Sequence, residues 1–274
     1  MVTLLRRVGL ARLIRLGLIL TIPPFWYEIA VLHYRGSFQN RFMWGPFLSL
    51  PAVLGSTVVS ALKKDERRSR DILRPFAWVM TVLGMAGTFF HVRGIARQMG
   101  GFRNWKYNVV TGPPFPAPMQ VALFGLLGSL ASKPVSKGPF RSKHKEEQNL
   151  VRSARWINSL SCLLLAIEAG YNHWSGNFFN PLMYTPVLVG PFQALIHLAA
   201  LTRSRLARMI ELPLSAFSTV AGLIGFGFHI RNVFRRPGGL SWQNLFYGPP
   251  TVAALQMTAQ GIIGLLIALF SEDS

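Results

Sequence analysis

The sequence predicts an all-α polytopic membrane protein: eight transmembrane helices, built as two tandem four-helix repeats related by a pseudo-twofold axis along the membrane normal. Three observations predict it. Half of the 274 residues are hydrophobic and only 14% are charged, against about 25% charged in an ordinary soluble domain. The apolar residues fall into eight runs of about 17–22 residues, the length that crosses a hydrocarbon core about 30 Å thick at 1.5 Å per residue. Finally, polar, Gly and Pro residues recur between the two halves at constant offsets.

The eight runs extend from Ile14 to His33, Met43 to Leu62, Pro75 to His91, Pro113 to Ser132, Trp156 to His173, Pro181 to Leu201, Leu212 to His229 and Pro249 to Phe270. The first follows Arg6-Arg7 and continues through Pro23-Pro24 into Phe25-Trp26-Tyr27-Glu28 with no small-residue cleavage site, so it reads as a retained helix and not a removed signal. Its two prolines predict a kink. The fourth and eighth runs open on Gly112-Pro113-Pro114 and Gly248-Pro249-Pro250, where a proline is expected in the first helical turn because its missing N–H would be unpaired there anyway. The Gly100-Gly101 and Gly238-Gly239 pairs read as hairpin turns.

Charge orients the chain. Cations are enriched on the cytoplasmic side of membrane proteins. One face collects twenty of the 29 Lys and Arg, and the other holds Arg35, Arg41, Arg93, Arg97, Arg103, Lys106, Arg231, Arg235 and Arg236. Eight of the ten acids sit on the cation-rich face, the outer loops have none, and Glu28 and Glu168 fall inside helices. The expectation is a bacterial inner-membrane protein with both termini cytoplasmic. The net charge of +19 would also suit a nucleic acid, but the charges flank apolar runs, and neither a nucleic-acid motif nor a loop long enough to fold alone exists.

His33 is followed by Gly36, Phe38, Asn40, Met43, Pro46 and Pro51; His173 is followed by Gly176, Phe178, Asn180, Met183, Pro186 and Pro191 at identical offsets. Glu28 and Glu168 each precede their His by five. Gly84, Gly87, His91 and Arg93 match Gly222, Gly225, His229 and Arg231. The halves are therefore 1–140 and 156–274, joined by a basic cytoplasmic linker, 141–155. The Gly pairs lie at i and i+3, a spacing that lets helix backbones approach closely in lipid.

His33, His91, His173 and His229 end the four outward-running helices, which puts them at one depth. Glu28 and Glu168 lie about 7–8 Å deeper by helix rise. An ionisable residue inside a span is expensive and marks a candidate site. Five helical residues turn about 140° past the starting face, so Glu28 and His33 do not share a face and any common site must draw on several helices. The expectation is that the four His converge, with the two Glu beneath them, on a cofactor or ligand. A purely structural role, with each Glu paired to a neighbouring Arg or His, is the competing reading.

Heme b would use the imidazoles as axial ligands, and with all four at one depth only an outer-leaflet heme fits. A quinone needs less: one His, one carboxylate and an apolar slot. Either makes the chain the membrane-embedded subunit of an electron-transfer complex, partnered by the bilayer and a periplasmic or membrane redox protein. A transporter using Glu28 and Glu168 is the second class. A scaffold recruiting a periplasmic partner through basic outer loops is the third. Cys162 stands alone in an apolar run, and no Cys/His metal spacing, HExxH, phosphate loop or nucleophile triad occurs.

Overall fold

The computed structural model describes residues 8–63, 66–132, 140–202, 204–248 and 250–271. Arg6, Arg7, Lys64, Asp65, Arg203, Pro249, Glu272 and Asp273, which entered the topology and motif reading, lie outside them, as does the stretch 133–139 before the expected linker. Among the described residues there is helix and no strand, as a bilayer demands of a chain whose backbone must satisfy its own hydrogen bonds. The helices are α1 (Leu10–Arg35), α2 (Trp44–Leu62), α3 (Glu66–Arg97), α4 (Trp105–Thr111), α5 (Pro116–Ala131), α6 (Phe140–Ser175), α7 (Thr185–Leu201), α8 (Arg205–Arg235), α9 (Trp242–Tyr247) and α10 (Leu255–Phe270).

Six stretches are long and apolar enough to cross a membrane: Leu10–Arg35, Arg41–Leu62, Asp71–Arg97, His144–Ser175, Pro181–Leu201 and Arg205–Arg235. A seventh is added if Gly101–Thr111 and Pro116–Ala131, bent by 75°, count as one span. The chain is a multi-pass membrane protein. The last expected span differs: α10 has 16 residues, about 24 Å of helix against a core of about 30 Å.

The Gly-Pro-Pro motifs account for the difference. They were expected inside the first helical turn, and instead they interrupt. Gly112 and Gly248 are extended, with ψ of −174° and −171°, and end α4 and α9. Proline disfavours helical backbone in the residue before it, so neither short helix runs on into the next. In the fourth run the first helical turn opens instead at Pro116. By contrast α1 is assigned as one helix through Pro23-Pro24, and the expected linker 141–155 is helical, part of α6.

α3 packs most extensively against α5, and α8 against α10. Glycine permits both contacts. A Cβ on Gly84 would lie 2.6 Å from the Pro118 carbonyl oxygen, and one on Gly125 would lie 2.6 Å from the Thr81 amide nitrogen. A Cβ on Gly222 would lie 2.5 Å from the Thr258 nitrogen, and one on Gly261 would lie 2.5 Å from the Thr219 nitrogen. Only residues without side chains fit where backbones approach so closely. α1 packs on α2 and α5, and α6 on α7 and α10; cross-contacts join α5 to α6 and α10 to α1. Most of α5 and α10 is buried, while α2, α3, α7 and α8 turn large apolar side chains such as Leu48, Phe89, Leu195 and Leu223 outward, toward lipid.

Two hairpins share a backbone form. Ser37 and Phe38 have φ of 54° and 46°, and Asn177 and Phe178 have 57° and 45°. Phe38 stacks on Trp44 and Phe178 on Tyr184, each at 4.2 Å between ring centroids. The Asn40 side chain accepts the Phe42 N–H, and Asn180 accepts the Leu182 N–H, both at 3.0 Å. Stacking and capping hold the left-handed residues, which non-glycine side chains otherwise avoid.

Candidate functional site

The four sequence-selected histidines meet two by two. His33 of α1 and His91 of α3 have ring centroids 6.4 Å apart; His173 of α6 and His229 of α8 are 6.5 Å apart. Nδ1 of His33 lies 2.8 Å from the Met43 carbonyl oxygen and Nδ1 of His91 lies 2.9 Å from that of Pro114. Nδ1 of His229 bonds the Pro250 carbonyl. A carbonyl only accepts, so in these three rings Nδ1 carries a hydrogen and donates it. Nδ1 of His173 is buried with no partner among the described residues. The single four-ring site expected from equal depth is thus two ring pairs: depth follows from position along a helix, whereas the rotation and neighbours of the helix decide which rings meet.

One pair borders a cavity. It has a volume of about 430 Å³, and its wall includes Glu28, Glu168, His173 and His229 but neither His33 nor His91. Leu165, Ala169, Phe217, Phe228 and Met257 supply apolar surface. Oε2 of Glu28, Oε2 of Glu168 and the Tyr171 hydroxyl are buried with no hydrogen-bond partner among the described residues. Arg35 also lines the cavity, yet its guanidinium is directed at backbone: Nε donates to the Phe246 carbonyl and Nη2 to that of Gly248 at 2.7 Å. A cation suits the carbonyl end of α9. The cavity is therefore lined by two acids and two histidines within otherwise largely apolar walls. Among the described residues no group of three or more His, Cys, Asp and Glu is arranged to hold a metal ion.

A second polar cluster joins α6, α7 and α8. Arg155 of α6 grips Glu211 of α8 with both arms, Nε to Oε1 at 2.9 Å and Nη2 to Oε2 at 2.7 Å. His197 of α7 sits 2.9 Å from Oε1 of Glu211 through Nδ1 and 2.9 Å from the Asn158 amide nitrogen through Nε2. Asn158 Nδ2 also donates to the backbone carbonyl of Gln260 at 3.0 Å, which identifies that atom as the donor nitrogen. His197 Nε2 is then an acceptor, and its hydrogen is on Nδ1, facing Glu211. His197 is fully buried and Glu211 is 1% exposed.

The polar contacts continue from there. The Gln260 side chain donates to Ser161 Oγ at 3.0 Å and to Gln120 Oε1 at 3.2 Å, and Gln120 donates to Gln256 Oε1 at 2.9 Å. Gln256 lines the cavity that holds Glu28 and Glu168. A thread of buried polar groups, passing at one point through the Gln260 backbone carbonyl, thus runs from the cavity wall to the Arg155–Glu211 pair.

Charge and motif reading selected the cavity acids and missed this thread. His197 lies inside the sixth apolar run, an ionisable residue in a span and so a candidate by the same rule that picked Glu28. Gln120, Gln256 and Gln260 interrupt the fourth and eighth runs. Glu211 directly precedes the seventh run, which opens at Leu212, and so counts among the acids of the cation-rich face. Comparison of the chain with protein-family models, curated proteins and solved structures finds no match.

Proposed function

We propose that this chain is an eight-span inner-membrane protein of two tandem four-helix units, with both termini cytoplasmic, that binds a quinol in its outer-side cavity as the membrane-embedded subunit of an electron-transfer complex. The observation that carries the ligand class is the pair of acids, Glu28 and Glu168, lining one apolar cavity beside His173 and His229. A cavity with apolar walls and a few placed polar groups is the usual form of a small-molecule site. Its acceptors match the two hydroxyl donors of a quinol. On oxidation the two O–H protons pass to these acceptors, and the two electrons leave to a redox group on a partner protein.

The repeat is supported by contacts that recur between the two halves. The atoms nearest a Cβ on Gly125 belong to Thr81 and Ala77, and those nearest a Cβ on Gly261 belong to Thr219 and Ser215, each 138 residues on in the partner helix. Gln120 and Gln256 are counterparts in the two halves and hydrogen-bond each other, as residues near a twofold axis do. Reporter fusions after Lys63 and Lys137 are expected to read cytoplasm, and one at Gly100 periplasm. The reverse pattern overturns the orientation.

The ligand is tested by equilibrium dialysis of a short-tail benzoquinol against the purified protein in detergent. Saturable binding is expected, weakened about tenfold or more by the loss of a charge-assisted hydrogen bond in Glu168→Gln, and abolished by filling the cavity in Ala221→Phe. Binding that is unsaturable, or untouched by Ala221→Phe, overturns the reading. A b-type heme is the second reading. It is favoured by three imidazoles whose Nδ1 is anchored to a carbonyl, the usual support of a ligating histidine. A dithionite-reduced spectrum without a b-type band removes it.

A further inference from the structure

The wall of the cavity reaches both the interior and the surface of the molecule. Leu165, Ala169 and Met257 line it at no more than 9% exposure, whereas Phe217, Val220 and Ile224 line it and are each more than half exposed. Those three stand on α8 at i, i+3 and i+7, so they form one stripe along the helix. Phe217 is twelve residues before His229, about 18 Å along the axis. His229 ends its apolar run, so an exposed side chain at the depth of Phe217 meets hydrocarbon and not water. Leu182, in the turn that leads into α7, is also on the wall and is 53% exposed. The cavity therefore opens sideways, along the seam between α7 and α8.

The seam between α2 and α3 shows how such an opening is closed. Phe42 stacks on Phe90 at 4.8 Å between ring centroids. Leu83 comes so near Gly45 that a Cβ there would lie 3.5 Å from its Cδ2. At the offsets that relate the two halves, Leu182 and Phe228 match the first pair, and Ala221 and Thr185 the second. All four line the cavity. With alanine where the first seam has leucine, and leucine where it has phenylalanine, less side-chain volume is present to fill the second seam. α7 also packs on α8 less extensively than α2 on α3.

We propose that the cavity is entered from the bilayer through the α7–α8 seam and takes an amphiphile with one long apolar tail. The polar head lies beside Glu28, Glu168, His173 and His229, and the tail runs along the stripe from Ile224 to Phe217. The polarity of the wall matches such a molecule: acids and imidazoles gather at the end that carries the histidines, and the stripe below them is apolar. A tail that moves through the seam stays in hydrocarbon, whereas entry from the aqueous end would expose it to water. This rests on the quinol reading for the identity of the head and adds to it the tail and the route.

The test is photolabelling of the full chain in phosphatidylcholine nanodiscs, with labelled residues mapped by mass spectrometry. Two decyl benzoquinol probes are used, one with a diazirine beside the ring and one with it at the tail end. The ring-side probe is expected to label Leu165, Ala169 or Met257, and the tail-end probe the Phe217–Ile224 stripe. Both labels are expected to be lost when unlabelled decyl benzoquinol is added in excess. Val82 of α3, 62% exposed, is the lipid-facing reference, and its label should persist. Tail-end label spread equally over Val82 and Val220, or unchanged by the competitor, overturns the seam. If the ring-side label is competed and the tail-end label falls elsewhere, the quinol reading stands and the seam falls. Decanol with a tail-end diazirine separates the two the other way: label on the stripe that unlabelled decanol removes, with no competed label from either quinol probe, keeps the seam and removes the quinol. No competed label from any of the three probes overturns both.

Discussion

Glu211→Ala is expected to destabilise the protein by about 3–5 kcal/mol, the usual cost of leaving a buried charge without its partner. Arg155 is 6% exposed and makes both of its arms' contacts with Glu211. Removing the carboxylate leaves the guanidinium with no counter-ion there and leaves His197 Nδ1 without its acceptor. The measurement is the thermal unfolding midpoint in detergent, followed by helical circular dichroism. The double variant Arg155→Met/Glu211→Leu is expected to regain most of the loss, because an apolar pair asks for no desolvation. A single Glu211→Ala variant as stable as the parent would contradict the burial of the pair.

Gly261→Val is expected to prevent α8 and α10 from packing. The added Cβ alone would meet the Thr219 amide nitrogen at 2.5 Å and the Ser215 carbonyl oxygen at 2.8 Å. These are backbone atoms of α8, which cannot turn aside as a flexible side chain can. Overpacking against movable side chains costs about 1–3 kcal/mol, so the loss here should exceed that range, with little monodisperse protein on size exclusion. Gly125→Val should behave alike, since its Cβ meets Thr81 and Ala77 in the same way. Gly227→Ala is the control: nothing lies within 4 Å of its Cβ. It should be neutral or slightly stabilising, because alanine favours a helix by up to about 1 kcal/mol over glycine. A folded Gly261→Val protein of parental stability would disprove the close crossing.

The all-helical, multi-pass character was legible in the chain because it is a one-dimensional property. Hydrocarbon thickness dictates the length of each apolar run, and the lack of water dictates that each run be a helix. Six of the eight runs are long apolar helices. Run length alone could not foresee the bend after Thr111 or the late start of α10 at Leu255, since hydropathy does not register the extended glycine before a proline pair.

His173, His229, Glu28 and Glu168, chosen from the sequence, border one cavity. Which of the four imidazoles would pair was not legible, because pairing depends on how each helix is rotated about its axis and which helix it packs against. The same holds for His197, Glu211 and Arg155, which come from three helices. In the chain, Glu211 reads as a loop charge one turn from Arg208 and His197 as one polar residue in an apolar run. Only the packing of α6, α7 and α8 turns them into a single buried cluster, because hydrogen bonds need contact within about 3 Å and sequence order specifies no distance between helices.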